Sequence, residues 1–341
     1  MVRVGPESAG SDPGPACYSR GGTQATLADA LVVLGHLNPA QLVGGEVLLD
    51  AAAALDAIST QVAAPLGASP LEAAHGVLTI AVATMMRAVK AVTTYRGRDP
   101  RDFAICAFGG NGPLVAVELA RALEVETVVI PPSPGVFSAL GLLFGAGERE
   151  LVRTLLLRPA DLRPEPVEAA LASLQRDALA QLADDGHSVD DVELDRFADL
   201  RFAGQAYELP VRVPVGPVAI ERMLDDFVTE HERTYGHGSR LDPVELVSVR
   251  VVARIPRPSA ASYDPLPEIA SRSREVGERD AYFGPGHGTL ATPVVTRAAL
   301  LDDERAGPLL VDEYDSTVVV PPECIARLDA FGNVEVSIHD A

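Results

Sequence analysis

The sequence predicts an α/β protein whose second half is an α+β domain, and three observations predict it. Between Asp99 and Ile130 a short apolar run, a glycine turn, an amphipathic run and a second apolar run follow one another. Three prolines between Arg158 and Pro166 then break the pattern. After that break a helical stretch precedes two apolar–polar alternating runs, Val192–Phe202 and Tyr207–Val213. At 341 residues, two domains are the natural expectation. The composition divides the chain into 1–150, 151–256, a linker or long loop at 257–280, and a β-rich C-terminal segment at 281–341.

Taken in order, residues 1–25 are rich in Gly, Pro and Ser and read as an irregular loop. Leu27–Leu37 reads as a short apolar helix and Asp50–Val62 as an alanine-rich one. Ser69-Pro70-Leu71-Glu72 is a capping box with proline at the first helical position, opening a long helix to about Tyr95 with Gly97 as its stop. Leu71, Ala74, Leu78, Ala81, Met85, Val89 and Val92 recur at three- and four-residue spacings and form its core face. Phe103–Phe108 reads as a strand, Gly109-Gly110-Asn111-Gly112 as a turn, Leu114–Leu123 as a helix and Thr127–Ile130 as a strand. Beyond Gly186, Ala203-Gly204-Gln205 joins two strands as a hairpin. Ile220–Thr234 is helical, and Val244–Ile255 is a strand.

The glycine turn is the chemically telling element. At the end of a strand it lets a ligand approach the backbone, and it aims the free N–H groups of the next helix at that ligand. The same turn can be no more than a tight connection. It is neither a Walker A loop, since Gly-Lys-Ser and Gly-Lys-Thr are absent, nor GxGxxG.

A net charge of −20 argues against nucleic acid or an anionic membrane as partner. Lys90 is the only lysine, which leaves almost no candidate for lysine chemistry. No uncharged apolar run reaches about 18 residues, and the start lacks an apolar signal region. The expectation is a soluble cytoplasmic protein. Cys17, Cys106 and Cys324 have no metal-ligand spacing, and no metal site is expected. Cys106 reads as a small core residue. Cys17 follows a Pro-Gly-Pro turn, with no His nearby in sequence to activate it. His231 and His237 flank a helix end, where capping or surface placement is the simplest reading.

The wider text resembles the hydantoinase A/5-oxoprolinase family, which includes acetone carboxylase subunits. The matching segments are VGPESAGSDPGPACYSRGG (Val4–Gly22), LADALVVLGHLNP (Leu27–Pro39), RGRDPRDFAICAFGGNGP (Arg96–Pro113), PPSPGVFSALGLL (Pro131–Leu143), DLRFAGQAYEL (Asp199–Leu209) and GPLLVDEYDSTVVVPPE (Gly307–Glu323). The resemblance implies an actin- and sugar-kinase-like ATPase fold, of which this chain holds part of the second lobe followed by the α+β domain. It implies ATP and Mg²⁺ as cofactors. The phosphate loops, the first lobe and a hydantoinase B-like subunit would be supplied from elsewhere, and this segment alone is expected to be inactive. Gly109, Gly110, Asn111 and Gly112 match the family's adenosine-side motif. Asp29 matches an acid that could orient substrate or bind Mg²⁺ through water, and it is equally an ordinary cap. Asp12 and Cys17 fall at the implied substrate cleft, Asp12 being first a turn-former. Val115 stands where many members carry a His. The implied activity is ATP-dependent hydrolysis of a cyclic amide. Activation of a ketone for carboxylation, or a non-catalytic scaffold role, are the alternatives.

Overall fold

The computed structural model describes residues 2–40, 45–144, 147–190, 192–255, 265–270 and 274–339. It is a mixed α/β structure of two compact units. One comprises residues 1–94, 98–143 and 263–341, the other 95–97 and 144–262.

In the first unit, α1 (Leu27–Val33) opens on a capping box between Thr26 and Asp29. Helix α2 (Ala51–Ile58) continues through a π-helical stretch, Ser59–Ala63, into the single turn α3 (Ala64–Leu66). Helix α4 (Pro70–Val92) begins at the Ser69/Glu72 capping box that the sequence announces. By length and composition alone α4 and its extension to Arg96 could cross a membrane, although its longest uncharged run, Ala73–Met86, is short for a span. Ala73, Ala74, Val77, Leu78, Ala81 and Val82 instead pack one of its faces into the core with α1 and α5 (Gly112–Leu123).

Strands β1 (Ile105–Cys106) and β2 (Thr127–Ile130) are parallel and joined by α5. A short helix, α6 (Phe137–Leu143), follows β2. The expected strand at 103–108 shrinks to two residues, and Cys106 is exposed rather than in the core. The reason is position: β1 is the edge of its sheet and has a neighbour on one side only.

Residues 263–341 complete this unit. Antiparallel β12 (Cys324–Leu328) and β13 (Val334–Ile338) extend the sheet in the order β1-β2-β13-β12-β9, where β9 is Arg305–Ala306. A second sheet runs β11-β10-β8-β7, from β7 (Glu275–Tyr282), β8 (Thr289–Val295), β10 (Leu309–Asp312) and β11 (Thr317–Val320). The sequence marks 257–280 as linker or loop, yet Leu266–Ala270 is helical (α9) and Glu275–Tyr282 is a strand. Its charge misleads because β7 is an edge strand, where polar residues are tolerated. Positions 256–264 and 271–273 lie outside the described residues.

The second unit is an antiparallel sheet in the order β3-β6-β4-β5, built from β3 (Glu148–Leu157), β4 (Glu193–Phe202), β5 (Leu209–Arg212) and β6 (Val244–Arg254). Helices α7 (Pro164–Asp184) and α8 (Ile220–Tyr235) share its core through Val167, Leu171, Met223 and Phe227. His231 is not a surface or capping residue. It is buried against Phe202 and Phe227, with Nδ1 on the His237 carbonyl (2.7 Å) and Nε2 on the Gln205 amide (3.1 Å). These bonds tie the β4–β5 hairpin to the end of α8.

Candidate functional site

The glycine turn leaves the carboxyl end of β1 and enters α5, with Asn111 as N-cap. Pro113 lies in the first helical turn, where a missing N–H costs nothing. Gly109 adopts φ +82°, and its N–H donates to the Pro134 carbonyl (2.8 Å). The Gly112 N–H closes the turn on the Gly109 carbonyl (3.2 Å). Gly110 and Asn111 face outward. A Cβ on Gly109 would meet nothing within 4 Å, and one on Gly110 would meet only the Asp315 carbonyl at 4.0 Å. The space in front of the turn is therefore open.

Two further segments converge here. The loop after β2 carries Ser133, a non-glycine residue at φ +49°, and Pro134-Gly135. Leaving parallel β2 at its carboxyl end, it adjoins the glycine turn in the place where open parallel sheets bind ligands. The turn between β10 and β11 brings Ser316, whose hydroxyl donates to the Gly110 carbonyl (2.7 Å). Asp315 follows Tyr314 on the same turn. Arg297 anchors the assembly from beneath: its buried guanidinium pairs with Glu313 (2.6 Å) and donates to the carbonyls of Ile130, Pro131 and Gly332. The resemblance included the segment 307–323, but sequence reasoning assigned none of its residues to the site. Only pairing across 206 positions puts Ser316 against Gly110.

Asp29 and Cys17 are brought together, apart from this turn. One Asp29 oxygen accepts the Cys17 N–H (2.7 Å), and the other accepts the Thr26 N–H (2.8 Å) and hydroxyl (2.7 Å). Asp29 is fully buried and acts in this arrangement as the third-residue half of the capping box whose N-cap is Thr26. Burial, reinforced by the charge of Asp29, pushes the Cys17 thiol well above its ordinary range. A thiol so held is a poor nucleophile. Asp12 lies on the exposed N-terminal loop. No hydrogen bond among the described residues joins Asp12, Cys17 or Asp29 to the glycine turn. Val115, in place of the His the resemblance expects, is buried in the core face of α5. Among the described residues no group of three or more His, Cys, Asp or Glu side chains could hold a metal ion. The second unit has cavities of its own. One of about 450 Å³ lies beside α8, and another of about 380 Å³ is lined by Gln205 and His237.

Comparison with known proteins places these features in a common frame. A family model described as hydantoinase/oxoprolinase matches residues 1–149, and one described as hydantoinase/oxoprolinase C-terminal domain matches 163–336. An uncharacterized protein of Methanocaldococcus jannaschii is 35% identical over 343 residues, covering 98% of this chain and 48% of that protein. Caprolactamase subunit alpha of Pseudomonas jessenii is 30% identical, covering 99% of this chain and 50% of that one. The crystal structure of ATP-dependent caprolactamase from the same organism matches with a TM-score of 0.82 at 29% identity, over 100% of this chain and 50% of the other. The acetone carboxylase beta subunit of Xanthobacter autotrophicus is 27% identical over 94% of this chain and 47% of its own. The chain thus spans about half the length of each of these relatives.

Proposed function

Because the chain belongs to the hydantoinase/oxoprolinase family, we propose that it forms part of an ATP-dependent enzyme that opens a small cyclic amide by hydrolysis. In this reading the first unit belongs to an actin- and sugar-kinase-like ATPase lobe. Its Gly109–Gly112 turn faces the adenosine side of ATP. The observation that carries the proposal is the open glycine turn beyond the carboxyl ends of the parallel strands β1 and β2. The likeness to a caprolactamase described as ATP-dependent supports ATP and a lactam-like substrate.

The chemistry would use the γ-phosphoryl group of ATP to activate the ring carbonyl, after which water opens the ring. Such transfer depends on positioning and on neutralising phosphate charge. The phosphate loops and a hydantoinase B-like subunit would come from the remaining length of the assembly, in line with relatives that are subunits. Mg²⁺ is not assigned to residues of this chain. The Asp29 carboxylate is committed to three donors, and the described residues offer no acidic cluster. A catalytic role for Asp29 requires one of those bonds to open on ligand binding. Asp12 and Cys17 enter only as cleft-lining residues.

The test is reconstitution. The chain is co-expressed with a polypeptide carrying the family's phosphate loops and with a B-type subunit. Ring opening of lactams, hydantoins and 5-oxoproline is then measured alongside phosphate release. ATP-dependent ring opening is expected. A complex that instead consumes ATP only with a ketone and bicarbonate would replace the hydrolase reading by the carboxylase one. An assembled complex that binds no nucleotide would leave a scaffold role.

A further inference from the structure

We propose that Asp315 is the residue that selects hydroxyl donors on the ligand facing the Gly109–Gly112 turn, an inference that rests on the nucleotide reading above. Oδ1 of Asp315 is buried and has no hydrogen-bond partner among the described residues. A buried acceptor without a partner is costly, so such an atom marks a place where a donor arrives from outside. The geometry holds this carboxylate in place. Ser316, the next residue, is bonded to the Gly110 carbonyl, and the Glu313 N–H closes the turn on the Ser316 carbonyl (2.9 Å). On its other side Asp315 lies against Gly135. A Cβ built there would stand 2.6 Å from Oδ2 and 2.8 Å from Cγ, so position 135 has room for the carboxylate only because it is glycine.

The chemistry of the group narrows the ligand. An ionised carboxylate only accepts hydrogen bonds, and it repels phosphate oxygens. The part of the ligand beside Asp315 is therefore an uncharged donor. A vicinal diol presents two hydroxyls at the spacing of two carboxylate oxygens. Across the turn Phe108 is 46% exposed and lies tilted against Phe137 with ring centroids 5.4 Å apart, an aromatic surface open to a planar group. A carboxylate for the diol, an open glycine backbone and an aromatic wall together fit a ribonucleoside. The turn thus receives base and sugar, and the phosphates point away from it.

The experiment titrates the full chain calorimetrically with adenosine, 2′,3′-dideoxyadenosine, ATP and inorganic pyrophosphate. Wild type, Asp315→Asn, Asp315→Ala and Gly135→Ala are compared, with circular dichroism as the folding control. The wild type is expected to bind adenosine at least tenfold more tightly than the dideoxy analogue. Asp315→Ala should bind the two within about twofold, chiefly by losing affinity for adenosine. Asp315→Asn keeps the shape but offers one acceptor, and should fall between. Gly135→Ala should lose the discrimination with the carboxylate still present. Equal wild-type affinity for adenosine and its dideoxy analogue, or undiminished discrimination in folded Asp315→Ala, overturns the role of Asp315 and leaves the nucleotide reading standing. Pyrophosphate that displaces adenosine from the turn also overturns it. A folded wild type that binds neither adenosine nor ATP, alone and in the reconstituted complex, removes the nucleotide reading and this inference with it.

Discussion

Ser316 donates its hydroxyl to the Gly110 carbonyl at 2.7 Å, joining residues 206 positions apart in the chain. The glycine turn is therefore held by the C-terminal strands as well as by its own strand and helix. Removing the hydroxyl with Ser316→Ala leaves the Gly110 carbonyl without that donor and should cost about 1 kcal/mol of stability. Hydrogen exchange should rise first at residues 109–112 and 313–317. Uniform protection across both segments in the variant would show that the bond does not order the turn.

Gly110→Val should abolish nucleotide binding without unfolding the protein. Gly110 lies outside the positive-φ region, so the substitution is not resisted by backbone strain, and its Cβ would enter open space. Strain belongs to the neighbour Gly109, at φ +82°. The valine would occupy only volume that a ligand needs. The control is Gly204→Val in the β4–β5 hairpin. Its φ of +89° predicts a cost of about 1–3 kcal/mol and no change in nucleotide affinity. Titration with a non-hydrolysable ATP analogue, in the reconstituted complex, separates the two. Unaltered affinity in folded Gly110→Val would reduce the turn to a connection.

Asp29→Ala should destabilise the chain by about 2 kcal/mol or more, because it strands the buried Cys17 N–H and takes the acceptor of the Thr26 N–H out of the α1 capping box. Urea unfolding measures this directly. The same variant decides between cap and catalyst. If Asp29 only caps, turnover per folded molecule in the reconstituted enzyme stays within about twofold of wild type. A drop of a hundredfold or more at intact fold would give it a chemical role.

Stability should fall as pH drops from 6.5 toward 4, in part through His36. Burial, with smaller contributions from His75 and Arg279, lowers the His36 pKa to about 4. The imidazole is therefore neutral in the folded protein in that window, while the unfolded chain takes up a proton. The contribution is complete above about pH 6.5 and is lost as pH falls through about 4, amounting to about 3 kcal/mol. Urea midpoints across this range should slope less steeply in His36→Gln. Parallel slopes would show that another group carries the effect.

Arg297→Met should be the most damaging of these substitutions, at about 3–5 kcal/mol. It leaves the Glu313 carboxylate and three backbone carbonyls buried beside an apolar side chain. The double variant Arg297→Met/Glu313→Gln should recover part of the loss, because no charge remains buried. Thermal melts of the single and double variants measure the coupling. Strict additivity would mean that the pair does not act as a unit.

The sequence by itself determined the local elements. The Ser69–Glu72 capping box, the hairpin at Ala203–Gln205 and the glycine turn ahead of α5 all follow from capping and glycine chemistry within a few residues, whereas of the α4 face expected from Leu71 to Val92 only Ala74, Leu78 and Ala81 are buried and Val92 is exposed. Their order, with the matching segments, was enough to place the chain in its family. Tertiary structure decided what depends on distant partners. Cys106 is exposed because β1 is an edge strand, and His231 is buried because the hairpin closes over α8. Glu275–Tyr282 is a strand because β8 pairs with it, despite its charge. Asp29 accepts a bond from outside its capping box because the loop at Cys17 folds back onto it. Asp315 and Ser316 reach the glycine turn only because β11, in a separate sheet, packs against α5, bringing together residues more than 200 positions apart, an arrangement to which no local periodicity responds.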